Sequence, residues 1–203
     1  MKKNLLLFVF LLFSGLCTMK AQSGYSVYST VTDFSLKNLK GQYVSLKDFK
    51  KVQGIILIFT CNHCPFSKAY EDRIIALHHK YAPKGYPVLA INPNDAKAYP
   101  EDSYENMIVR AREKKFPFEY LYDESQEIAR RFGAVKTPHV FLLGKVGNDF
   151  VVRYIGAIDD NTDEPELVKV RYVEQAIEEI GKGQELTFPS TKAIGCGIKW
   201  KKQ

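Results

Sequence analysis

The sequence predicts an α/β fold, a three-layer α/β/α sandwich with a central mixed β-sheet, and three observations carry that prediction. Ile55, Ile56, Leu57, Ile58 and Phe59 form an unbroken, β-branched apolar run after Gly54, which suits a strand buried on both faces. Pro65 and the helix-spaced Ala69, Ile74, Ile75 and Leu77 follow, and then a second apolar run at 88–91. Strand, helix and strand in that order make a unit whose two strands run parallel. Further on, apolar runs lie on either side of a turn at Gly147-Asn148, so part of the sheet is antiparallel.

The elements can be justified in chain order. Residues 1–21 have a basic start (Lys2, Lys3), an apolar stretch at 5–13 and small or polar residues up to Ala21, the plan of a secretory signal. The apolar stretch is too short for a permanent membrane span. Cleavage is expected after Ala21; a lipid anchor on Cys17 fits less well, because Leu16 is bulky where a small residue is expected. Residues 22–203 then read as a single domain with a tail from about 184. Two alternating runs in 34–46 around an Asn/Gly turn predict a strand pair. Proline is admitted in a helix's first turn, so a helix should run over 65–81 and stop near Pro83 and Gly85. Residues 92–102, rich in Asn, Asp and Pro, read as a loop whose chemistry is mainly that of turns. Ser103 caps a helix to about 115, with Glu105 in its first turn and basic residues in its last. A short strand at 118–122, a short helix at 125–132 ended by Gly133, and a strand opened by Pro138 follow. Val170, Val173, Ile177 and Ile180 share one face of a last helix over 167–180.

Composition narrows the function. The chain has 203 residues, 45% of them hydrophobic and 26% charged, as in ordinary globular proteins. Its net charge of +6 falls to about +3 once Lys2, Lys3 and Lys20 leave with the signal, which is too little and too dispersed for a nucleic-acid surface. Export would place the protein in a compartment, the bacterial periplasm, where disulfides persist. Without Cys17 three cysteines remain, Cys61, Cys64 and Cys196, and an odd number implies one free or transiently paired thiol.

The chemistry concentrates at Cys61-Asn62-His63-Cys64, the turn between the buried strand and the helix over 65–81. A helix N-terminus offers unpaired N–H groups and partial positive charge. There a thiolate is stabilised below the free thiol value of ~8.5. Cys61, the more exposed sulfur, is expected to attack, and Cys64, under the first helical turn, to resolve. The pair could instead be half of a zinc site or an inert disulfide. Zinc needs two further ligands at suitable spacing, and His78, His79 and His139 supply no ligand pair, so no metal is expected. Cys196 sits between two glycines in the tail. It is a candidate third thiol that either lies passively buried or exchanges with Cys61 when the tail folds back.

The motif 58–65, Ile-Phe-Thr-Cys-Asn-His-Cys-Pro, and the later 133–138, Gly-Ala-Val-Lys-Thr-Pro, together resemble the thioredoxin-like superfamily over about 34–180. The resemblance is to its exported redoxin branch of TlpA-like and AhpC/TSA-like proteins. It implies a cis-proline at Pro138 facing the cysteines, with the Thr137 backbone free to receive a substrate strand. It also implies that His63 tunes Cys61 and makes the pair more oxidising. Two departures stand out. Ile55 occupies the place of the buried acid of thioredoxins, and Thr60, directly before Cys61, does not match the Thr/Ser position of peroxiredoxins.

The expected activity is thiol–disulfide exchange with protein or small-molecule thiols and disulfides, through Cys61 and Cys64 and without metal or organic cofactor. An electron partner is implied but unidentified, and a monomer is expected. The alternatives are a thiol-dependent peroxidase, in which Cys61 passes through a sulfenic acid, and a non-enzymatic copper or redox adaptor. Copper favours further soft ligands, and the chain has three methionines, two of them within the first 21 residues.

Overall fold

The computed structural model describes residues 24–202; the expected signal over 1–21, its expected cleavage site and Cys17 lie outside them. Ten strands appear: β1 (Thr30–Val31), β2 (Ser35–Asn38), β3 (Tyr43–Ser45), β4 (Gly54–Phe59), β5 (Val88–Asn92), β6 (Glu119–Tyr122), β7 (Lys136–Thr137), β8 (His139–Val146), β9 (Asp149–Gly156) and β10 (Cys196–Gly197). Four α-helices accompany them: α1 (Pro65–Tyr81), α2 (Tyr104–Lys114), α3 (Glu127–Phe132) and α4 (Tyr172–Gly181). Eight strands form one sheet in the order β1-β9-β8-β4-β5-β6-β2-β3, and β10 pairs with β7 separately. The pairs β4–β5 and β5–β6 are parallel and the others antiparallel, so the sheet is mixed.

The all-apolar run of β4 has its reason in this order. β4 is central, every residue in it is buried, and its side chains alternate between two cores. Ile55, Leu57 and Phe59 join Phe132, Phe141 and Ile198 on the face covered by α3 and the tail. Ile56 and Ile58 join Tyr70, Ile74 and Leu77 of α1 and Val173, Ala176 and Ile177 of α4 on the other. Met107 of α2 packs on this second face against Ala90 and Tyr120. Each such buried aliphatic side chain contributes about 1.5–3 kcal/mol relative to exposure.

Three elements differ from the sequence reading. α4 begins at Tyr172, five residues later than expected, because Pro165–Leu167 forms a separate 3-10 turn that leaves Leu167 54% exposed. The apolar period of 167–180 is therefore genuine only from Val173 onward. β1 and β10 are two-residue pairings without a periodic signal of their own. Residues 92–102 form the expected loop between β5 and α2, and it turns Asn92, Asn94, Asp95 and Asp102 inward, where all four are buried.

Candidate active site

Strand register places the two sequence motifs against each other. β8 runs antiparallel to β4 with Phe59 opposite His139 and Ile58 opposite Val140. The residues just before β8 must therefore lie beside those just after β4. The Thr137–Pro138 peptide is cis, and Thr137 faces the cysteine turn. Cys61 Sγ lies 3.2 Å from Thr137 Oγ1, and Cys64 Sγ lies 3.2 Å from the Thr137 carbonyl oxygen. Cys64 is the N-cap of α1, with Pro65 at its first turn. Cys61 is 3% exposed and Cys64 is fully buried.

The turn is held from behind by a residue the sequence reading did not single out. Asp102 Oδ1 accepts the backbone N–H groups of Asn62 (2.7 Å) and His63 (3.1 Å). Its Oδ2 meets His63 Nδ1 at 2.5 Å and accepts Asn94 Nδ2 at 2.8 Å. Asn62 is fixed further by Glu101 O and Tyr120 OH, and the His63 ring stacks on Tyr99 with centroids 4.5 Å apart. The available signal was positional: 92–102 follows the C-terminal end of a parallel strand, where sites in such sheets gather. Turn-type composition masked it.

Cys61 Sγ, His63 Nδ1 and Asp102 Oδ2 lie within 4.8 Å of one another, a span a cation could bridge. However, four N–H donors already surround the Asp102 carboxylate, which fills its ordinary acceptor capacity. A metal here would have to displace the bonds that shape the turn.

The electrostatics belong to the pair of sulfurs, which hydrogen-bond each other. Burial pushes the Cys61 thiol up, followed by the hydrogen bond with Cys64 and the Asp102 charge. The contact between the two sulfurs draws the other proton of the pair down, against burial, with help from Cys196 and the Ser67 backbone. One proton therefore leaves well below the ordinary thiol range and the second is held far above it. The hydrogen-bond geometry puts that second proton on Cys64, and we assign it there. A carbonyl oxygen 3.2 Å from Cys64 Sγ needs a proton to face. Cys61 instead meets the Thr137 hydroxyl at 3.2 Å, the Cys64 backbone N–H and the Ser67 hydroxyl at 3.7 Å, all able to donate, while His63 Nδ1, 3.7 Å away, gives its one proton to Asp102. A charge on Cys61 is solvated by those groups; a charge on Cys64 would face an acceptor.

Cys196 is drawn to the same place. β10 runs antiparallel to β7 with Cys196 opposite Thr137 and Gly197 opposite Lys136. Cys196 thereby stands beside the Cys64 sulfur, which touches the Thr137 carbonyl. The tail has thus folded back, but its sulfur meets Cys64, whereas the sequence reading aimed it at Cys61. No helix among the described residues is long and apolar enough to cross a membrane.

Residues 27–159 match the model of the AhpC/TSA family. The chain belongs to that family. Among solved structures, an uncharacterized conserved protein from Geobacillus kaustophilus is similar at 36% identity, with 88% of this chain and 94% of that one covered and a TM-score of 0.80. A hypothetical protein from Sinorhizobium meliloti 1021 is 30% identical over 90% of this chain and 99% of its own, also at a TM-score of 0.80. The thioredoxin domain of a thiol-disulfide oxidoreductase from Bacteroides vulgatus shares the fold at 18% identity, covering 66% and 91%, with a TM-score of 0.53. No protein of curated function matches the sequence. The fold is thioredoxin-like, and the family is a redoxin family.

Proposed function

We propose that the protein is an exported, periplasmic thiol–disulfide oxidoreductase in which Cys61 and Cys64 cycle between dithiol and disulfide. The observation that supports this best is the convergence of three donors, the Thr137 and Ser67 hydroxyls and the Cys64 backbone N–H, on Cys61 beside a protonated Cys64. In the reducing direction the Cys61 thiolate attacks a substrate disulfide and forms a mixed disulfide, and one substrate thiolate leaves. Cys64 gives up its proton and attacks Cys61 Sγ, which releases the second substrate thiol and closes the Cys61–Cys64 bond. In the oxidising direction a substrate thiolate attacks Cys61, Cys64 leaves as the thiolate, and the same intermediate forms. Thr137 and Pro138 form the substrate-facing wall, and His63, held by Asp102, stabilises charge on Cys61. No metal or organic cofactor takes part.

The Cys64→Ser variant tests this. It should accumulate mixed disulfides through Cys61 when exposed to periplasmic extract or to oxidised glutathione, and mass mapping should find the partner on Cys61. A variant that traps nothing, under conditions where the wild-type pair oxidises, would contradict the proposal. The family match supports a second reading, thiol-dependent peroxide reduction at Cys61. Stopped-flow peroxide consumption separates it: rapid loss of one equivalent of hydrogen peroxide by reduced protein favours the peroxidase.

A further inference from the structure

Three sulfurs meet on one residue in this fold, and the exchange chemistry above uses only two of them. Thr137 contacts Cys61 through its hydroxyl and Cys64 through its carbonyl, and it stands opposite Cys196 in the β7–β10 pairing. The approach of the tail is built in. A Cβ on Gly195 would lie 2.3 Å from the Thr137 carbonyl oxygen, so only glycine lets the chain come this close. Ile198 N–H bonds the Val135 carbonyl, and the Ile198 side chain is 6% exposed in the core shared by β4 and α3. Lys199 is tied by its backbone to Asn94 and Asp95 and by its carbonyl to Gln126. Cys196 is thus clamped from both sides, opposite the residue whose carbonyl touches Cys64.

We infer that Cys196 is a third redox thiol, which exchanges with the Cys61–Cys64 disulfide to form a Cys64–Cys196 bond. The inference rests on the proposed cycling of Cys61 and Cys64. In the step, the Cys196 thiol loses its proton to solvent and its thiolate attacks Cys64 Sγ. The Cys64–Cys196 bond forms as the Cys61–Cys64 bond breaks, and Cys61 departs as a thiolate. There is no net oxidation or reduction. The leaving sulfur is the one surrounded by donors, so the geometry favours its departure. In the reduced protein, burial and then the neighbouring Cys64 sulfur push the Cys196 thiol up to about 11, while Lys199 and Lys136 oppose this. Once Cys64 is in a disulfide it has no thiol left to titrate, and only burial still opposes those lysines. The product holds the tail covalently against β7 and returns Cys61 as a free nucleophile.

Two full-length chains test the step. Reduced Cys61→Ser protein is equilibrated with oxidised glutathione, quenched by alkylation and mapped by mass spectrometry. The expected product is an internal Cys64–Cys196 disulfide, two hydrogens lighter than the reduced chain and without bound glutathione. Glutathione retained on Cys64 with Cys196 free would overturn the inference. In the wild-type chain, partially oxidised in a glutathione buffer, a Cys64–Cys196 peptide with alkylated Cys61 is expected beside the Cys61–Cys64 peptide; a map containing only the latter would also overturn it. The Cys196→Ser chain reports separately on the underlying reading. If it forms no Cys61–Cys64 disulfide, the proposed cycling itself fails, whatever the other two maps show.

Discussion

At the scale of single residues, placement of one proton decides the chemistry. The reduced pair keeps a single proton from well below the ordinary thiol range upward, and the carbonyl beside Cys64 claims it. Thiolate absorbance in the ultraviolet should therefore persist in reduced wild-type protein well below the ordinary thiol range. It should survive in Cys64→Ser with a raised midpoint, and be lost near neutral pH in Cys61→Ser. The reverse pattern would move the charge to Cys64. A second titration is independent of the sulfurs. His139 is 6% exposed, accepts the Val135 N–H at Nδ1, and burial lowers its pKa to about 4. The unfolded chain binds that proton below about pH 6.5, whereas the folded chain resists until about pH 4. Stability thus falls as pH drops through this window, by about 1.4 kcal/mol per pH unit from this residue. Denaturant midpoints of His139→Gln should show a flatter profile between those limits than wild type.

At the scale of elements, much was legible and the omissions have physical causes. β4 and α1 could be read because one is apolar on both faces and the other carries Pro65 at its first turn. Thr137-Pro138 could be placed beside the cysteines only through a resemblance; β-sheet register, which puts it there, has no local signal. Asp102 was missed because a buried carboxylate that holds two backbone amides looks, in sequence, like any acidic loop residue. Its importance is testable. Asp102→Asn keeps the shape but weakens charge-assisted bonds to the turn, and chemical denaturation should show a loss of about 1.5–3 kcal/mol. The same change removes a negative charge that opposes a Cys61 anion, so the reduction potential should rise. A variant as stable as wild type, with an unmoved potential, would show that the turn holds itself.

At the scale of the whole molecule, the central strand, the cis-proline wall and the tail close around a pair of sulfurs that hold one proton between them. Reduction of such a pair takes up two electrons and only one proton. Its potential should therefore fall by about 30 mV for each unit rise in pH near neutrality, half the value of an ordinary dithiol. Favouring the anion also favours the reduced form, which shifts the potential upward. The measurement that bears most directly on this account is the reduction potential of the Cys61–Cys64 couple in the full-length protein, equilibrated in glutathione buffers and read by alkylation and mass. The account predicts a reversible two-electron couple between ~-270 mV and ~-120 mV, the span from thioredoxin to strongly oxidising proteins. A value below ~-270 mV, or cysteines that never pair, would contradict it.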